Sequence, residues 1–133
     1  MKMKNWLTSA PKKALPVITF PCAAPMEMTI TEILSSAEKQ AEGIAYCAAH
    51  SDSLAAVSFM DLSVEAECFG AKMRFSDTEV PCVVGACVHD AEEAEALSVP
   101  EIGAGRTDIA IGAIRLAKEK FPDGNFLVED ILT

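Results

Sequence analysis

Apolar positions along this chain fall into blocks of two kinds. Apolar runs stand at residues 15–20 (LPVITF) and 54–60 (LAAVSFM), and a third at 126–128 opens the segment 125–131 (NFLVEDI). Short apolar runs rich in β-branched or aromatic residues and bounded by turn formers predict strands covered on both faces. The other kind is periodic. Ile33, Leu34, Ala37, Ala41, Ile44, Ala45 and Ala48 make one stripe at helical spacing and predict a helix over 31–50. Thr29 and Glu32 precede it with the three-residue spacing of a capping box. Ile109, Ala113, Leu116 and Ala117 mark one face of a second long helix over 106–121. Lys118 and Lys120 lie near its C-terminus, where cations suit the helix dipole.

Between the second run and the second long helix lies an excursion. Residues 63–69 predict a short helix closed by Gly70. Residues 71–75 and 82–84 predict brief extended pieces, and Asp90 with Glu93 opens a short acidic helix over 91–97, ended at Val99-Pro100. Pro122-Asp-Gly124 is a turn signal. The order is strand, long helix, strand, excursion, long helix, strand. That alternation predicts an α/β fold with a parallel sheet and right-handed crossovers. Residues 1–14 read as a polar, basic lead-in and 15–133 as the folded unit.

Composition narrows the function classes. Half of the 133 residues are hydrophobic, enough for a core and too many for a disordered tail. Eleven basic residues against twenty acidic ones give a formal charge of −9. A nucleic-acid backbone or an anionic membrane needs a basic face, so neither is expected as a partner. No long apolar run follows the basic start, and none approaches a membrane span; the cytoplasm is the expected location. The five cysteines include no C-x-x-C pair and read as reduced thiols.

Few residues carry candidate chemistry. Asp61 directly follows the run LAAVSFM, at what would be the C-terminal edge of a parallel sheet, where α/β folds place their sites. A cap for the following helix is the alternative, and position alone leaves both standing. Glu65 and Glu67 are two apart on the same short helix and cannot share a face, so at most one accompanies Asp61. Glu65 is the better candidate and Glu67 reads as a solvated carboxylate. Cys82, Cys87 and His89, with Cys68 or Cys22, are zinc-type ligands, but their spacing lacks the tight pairs of structural sites. No metal ligand is assigned, and the chain is expected to hold no zinc. Gly103-Ala-Gly105 fits no phosphate-binding loop and reads as a flexible lead into the helix.

The stretch 59–70 (FMDLSVEAECFG), followed by AKMRF, resembles the second-strand region of the uroporphyrinogen decarboxylase family. That family has a hydrophobic strand, an aromatic residue, one small or apolar residue, an aspartate, a short helix, and an aromatic residue or leucine before a glycine. Here the aspartate is Asp61 and the glycine Gly70. The acidic helix leading to Val99-Pro100 and the later helix ending AKEKF fit as well. The resemblance implies a partial (β/α)8 TIM barrel of about three parallel strands with covering helices, since a whole barrel needs about 250 residues.

The resemblance also implies two activities. One branch of the family decarboxylates a tetrapyrrole without a cofactor. The other moves methyl groups between a corrinoid and a thiol such as coenzyme M, using zinc and a methylcobamide. In the decarboxylases the aspartate matching Asp61 faces the pyrrole N–H groups. Those enzymes also carry an Arg-Gln-Ala-Gly-Arg clamp, whereas no arginine precedes Arg74 here. Lysines cannot reproduce its bidentate pairing. The SVEAE after the aspartate is closer to the methyltransferase branch, whose zinc ligands, a His-x-Cys pair and a distant cysteine, belong to the second half of the barrel.

The expected function is therefore part of a corrinoid-to-thiol methyltransferase, with Asp61 catalytic and Glu65 in substrate binding. Alone, the chain is expected to bind no cofactor, to be inactive, and to self-associate or dock with a partner supplying the missing half. The ligand of the whole enzyme would be a tetrapyrrole or corrinoid. The alternatives are part of a uroporphyrinogen decarboxylase, a lyase of tetrapyrrole biosynthesis, and a non-catalytic module docking onto a partner barrel.

Overall fold

A computed structural model describes residue 5, residues 8–121 and the backbone of residues 126–127. The first apolar run gives no strand. Residues 15–19 are irregular and pass into a 3-10 turn at Phe20–Cys22. Pro16 has no N–H to give to a ladder, and the segment is tied to the second run by a bond from Leu54 N to Ala14 O of 2.8 Å. Val17 and Ile18 stay partly exposed.

The first long helix is two helices, α1 (Ile30–Leu34) and α2 (Ala37–His50). Its start agrees with the sequence: the Thr29 hydroxyl accepts from Glu32 N at 3.1 Å, and the Glu32 carboxylate accepts from Thr29 N at 2.9 Å. The break comes from Ser35-Ser36, because serine competes with the backbone for helical hydrogen bonds. The Ser35 hydroxyl donates back to Glu32 O, while the Ser36 hydroxyl accepts from Lys39 N and so caps α2. Lys39 bonds Glu32 across the break at 2.7 Å, and with the Thr29 bonds it holds the Glu32 carboxyl down at about 2.

The run 54–60 is buried from Ala55 to Phe59, yet only Ala56–Val57 (β1) enters a ladder. Then follow α3 (Val64–Cys68), β2 (Met73–Arg74), β3 (Cys82–Val83), α4 (Ala91–Glu95), α5 (Thr107–Lys120) and β4 (Phe126–Leu127). Gly70 follows α3 in the left-handed region at φ 90°, as a closing glycine should. The two extended pieces of the excursion pair with each other, antiparallel. The Asp90 cap forms, but Glu93 reaches back to His89 N rather than to Asp90 N. β1 pairs with β4 in parallel, Ala56 beside Phe126 and Val57 beside Leu127.

The fold is thus mixed α/β. Among the described residues two strands run parallel, one fewer than the sequence suggests, because residues 15–20 join no sheet. The turn at 122–124 and the remainder of the run 125–131 lie outside the described residues, as do Trp6 and Leu7 of the lead-in. No described helix is long and apolar enough to cross a membrane.

Helices α2 and α5 pack side by side, and α2 also lies on β1. The core joins Cys22, Ile33, Ala41, Ile44, Ala56, Phe59 and Ala117. Gly43 permits the close approach of α2 to this core. A Cβ there would sit 2.8 Å from the Cys22 sulfur and 3.0 Å from the Phe59 ring. Overpacking costs about 1–3 kcal/mol, against a helix-propensity gain of about 1 kcal/mol. Gly43→Ala is expected to lower stability in urea unfolding by about 1 kcal/mol net; a more stable variant would contradict this packing.

Burial pushes the Cys22 thiol up from 9.0 to about 12, and the neighbouring Cys47 adds to the rise. A folded value above the unfolded one leaves stability unaffected below pH 9.0 and erodes it from there towards about 12, as only the unfolded chain releases the proton. Cys22 is also expected to resist iodoacetamide at neutral pH while the exposed Cys87 reacts. Peptide mapping showing equal rates at the two would contradict the burial.

Candidate functional site

Beyond β1 the chain continues buried through Ser58 and Phe59, then turns at Asp61 into α3. The Asp61 carboxylate uses both oxygens. Oδ1 accepts from Ser63 N at 3.0 Å and from the Ser63 hydroxyl. Oδ2 accepts from Arg106 Nη1. The guanidinium also donates from Nε to Glu67 at 2.6 Å and from Nη2 to the Ser63 hydroxyl at 2.9 Å. Its carbon lies 5.0 Å from the centroid of the Phe75 ring, within cation–π range. Side-chain exposure is 7% for Asp61, 13% for Arg106 and 28% for Glu67, so this is a largely dry cluster and its charges depend on one another.

Arg106 stands at the N-cap of α5, with no side-chain cap bond. A cation at a helix N-terminus opposes the macrodipole. Burial alone would lower the Arg106 pKa, but Asp61 first and Glu67 second outweigh it, and the net shift is upward. Two carboxylates and one guanidinium leave the cluster with one excess negative charge when all are ionised. A cleft of about 10 Å³ touches it, lined by Leu34, Gln40, Phe59, Asp61, Val64, Arg106 and Ala110. That is room for about one water.

The two readings of Asp61 therefore meet in one residue. Its carboxylate bonds a backbone N–H where α3 begins, and it also anchors the arginine of a different helix. Glu67, read from sequence as solvated, shares that arginine. Glu65 takes no part in the cluster and lines a second cavity of about 370 Å³ with Cys68, Phe69, Val99, Pro100, Glu101, Ile102 and Thr107.

Sequence reasoning missed Arg106, Ser63 and Phe75. One signal was available. Arg106 is one of three arginines in a chain of twenty acidic residues, and it sits where a helix begins. A cation placed against the dipole implies carboxylates elsewhere in the fold.

The zinc-type side chains are spent separately. Cys82 accepts from Arg74 at 3.1 Å, Cys68 donates to Ala104 O at 3.0 Å, and His89 contacts Glu93 at 3.0 Å. Among the described residues no three side chains of His, Cys, Asp or Glu gather where they could hold a metal ion. The zinc of the methyltransferase branch therefore does not fit the side chains described here.

Residues 17–128 match the family model for uroporphyrinogen decarboxylase (URO-D). A solved structure of a methyltransferase from Methanosarcina mazei is similar, with a TM-score of 0.72 and 20% identity, over 89% of this chain and 37% of that one. At that identity the likeness shows a shared fold, and the chain spans little more than a third of the length of its neighbour. Comparison with curated proteins gave no match.

Proposed function

Because this chain belongs to the uroporphyrinogen decarboxylase family, we propose that it forms part of a (β/α)8 barrel that transfers a methyl group between a corrinoid and a thiol of the coenzyme M kind. Further polypeptide completes that barrel in this proposal, and the chain without it is inactive. The fold shared with a solved methyltransferase supports the barrel, and the choice of branch rests on the site.

The observation that carries the choice is electrostatic. A tetrapyrrole with many carboxylates needs free guanidinium groups. The arginine beside Asp61 is already held by Asp61, Glu67 and Ser63, and the cluster carries excess negative charge. Such a site repels a polyanion and suits a neutral or cationic reacting group.

Within this proposal Asp61 is the catalytic carboxylate. Ser63 and Arg106 fix its two oxygens, and through the one water that the cleft admits it offsets positive charge on the ligand. Glu65 belongs to substrate binding, from the neighbouring cavity. The methylcobamide supplies the methyl group when bound. Among the described residues no three side chains of His, Cys, Asp or Glu gather where they could hold the zinc, so in this proposal the zinc falls to the remainder of the barrel, and the methylcobamide with it.

The test supplies the barrel-completing polypeptide and offers both substrates. Methyl transfer from methylcobalamin to coenzyme M, with uroporphyrinogen left unchanged and no turnover by the chain alone, is the expected result. Consumption of uroporphyrinogen would move the chain to the decarboxylase branch. Binding without either reaction would favour a docking module.

A further inference from the structure

The cavity beside α3 is the one that holds Glu65, so what it binds rests on and deepens the substrate role given to that residue above, while binding without turnover measures it separately. Its volume of about 370 Å³ falls within the range of small-molecule sites. One wall is apolar: Phe69, Val99, Pro100 and Ile102. Val99 and Ile102 are 86% and 88% exposed, unusually bare for aliphatic side chains.

The polar groups of the lining are of one kind. Cys68 and Thr107 both donate to Ala104 O, at 3.0 and 2.5 Å, so both are spent inside the wall. Glu65 and Glu101 have no side-chain partner among the described residues, and no basic side chain lines the cavity. An apolar surface with two free carboxylates excludes anions and leaves neutral ligands without a hydrogen-bond donor. A second copy of the chain would bring the same carboxylates against these and add to the repulsion of a chain at −9.

We propose that this cavity binds a small organic cation: an alkyl or aryl body against Phe69, Val99, Pro100 and Ile102, and an ammonium head held by Glu65 and Glu101. Affinity then has two separable parts. The body contributes in proportion to the apolar area it buries, and the head through partly screened ion pairs.

Isothermal titration with four probes measures both parts: hexyltrimethylammonium, tetramethylammonium, hexan-1-ol and hexanoate. Hexyltrimethylammonium is expected to bind at least about tenfold more tightly than tetramethylammonium, since each buried methylene is worth roughly fourfold. Hexanoate should not bind. Glu65→Gln with Glu101→Gln should weaken the cation about fivefold and leave the alcohol unchanged. Val99→Ser with Ile102→Ser, at exposed positions that the fold does not need, should weaken cation and alcohol alike.

Cys68 gives a local readout, because it lines the cavity. Its alkylation by iodoacetamide should slow when hexyltrimethylammonium is present, while that of Cys87 stays constant. Equal binding of the cation, the alcohol and hexanoate would overturn the proposal. So would equal affinity for the hexyl and methyl cations, which marks mere attraction to an acidic surface, or unchanged Cys68 alkylation. Self-association abolished by Val99→Ser with Ile102→Ser would assign the surface to another polypeptide instead.

Discussion

Replacing Arg106 by methionine is expected to cost the fold about 3 kcal/mol, the lower end for breaking a buried ion pair. The expected fall in melting temperature is about 10 °C. Arg106 is the cation between Asp61 and Glu67, and it donates to Ser63 as well. Without it two carboxylates face each other in a cluster whose members are 7–28% exposed. The partial exposure of Glu67 keeps the figure at the lower end. The tie also links α3 to α5, elements far apart in sequence, so its loss should loosen both. Arg106→Lys keeps the charge but not the planar fork, and should recover only part of the stability. Urea unfolding followed by circular dichroism measures all three proteins. A loss for Arg106→Met below about 0.5 kcal/mol would show an ordinary surface pair.

The second large effect is on turnover. In the completed barrel, Asp61→Asn is expected to reduce methyl transfer about 10²–10³-fold, the usual loss when one charge-stabilising group is removed. Stability should change far less. The asparagine carbonyl still accepts from Ser63 N or Arg106, and Arg106 keeps Glu67, so about 1 kcal/mol is expected. The split between the two readouts carries the argument. A residue that only caps α3 would lose stability and rate together, whereas a reaction-facing carboxylate loses rate with the fold intact. Full turnover by Asp61→Asn would remove Asp61 from the site and leave it a structural anchor.

What the sequence disclosed follows what local interactions decide. The capping box at Thr29 and Glu32, the cap at Asp90, the closing Gly70 and the periodic face of α5 all depend on residues within a few positions of one another, and all formed. The break between α1 and α2 is also local, but seven apolar residues at helical spacing outweighed Ser35-Ser36 in the pattern. The run 15–20 failed for a different reason. Its composition suits a strand, but a strand needs a partner with a free edge, and composition does not supply one. The site divided in the same way. Asp61 could be singled out as a candidate from its place directly after the run 54–60, while its partner Arg106 lies 45 residues away and only the packing of α5 brings the two together. Glu65 and Glu67 were correctly separated onto different faces of α3, yet which face met Arg106 depended on that same packing.

The central claim is that this chain builds only part of a barrel, and its association in solution tests that most directly. The β1–β4 pair is a two-stranded parallel sheet among the described residues, an arrangement that usually needs further strands and covering layers. Leu15, Val17 and Ile18 lie 38–49% exposed in a segment that joins no ladder, which leaves its backbone N–H and C=O groups, flanked by apolar side chains, available for pairing. Sedimentation velocity of the 133-residue chain over a range of concentrations is the measurement. Self-association that rises with concentration, replaced by a single equimolar complex when the barrel-completing polypeptide is added, is the predicted result. A compact monomer at every concentration, unfolding in one cooperative step and indifferent to that polypeptide, would contradict the account.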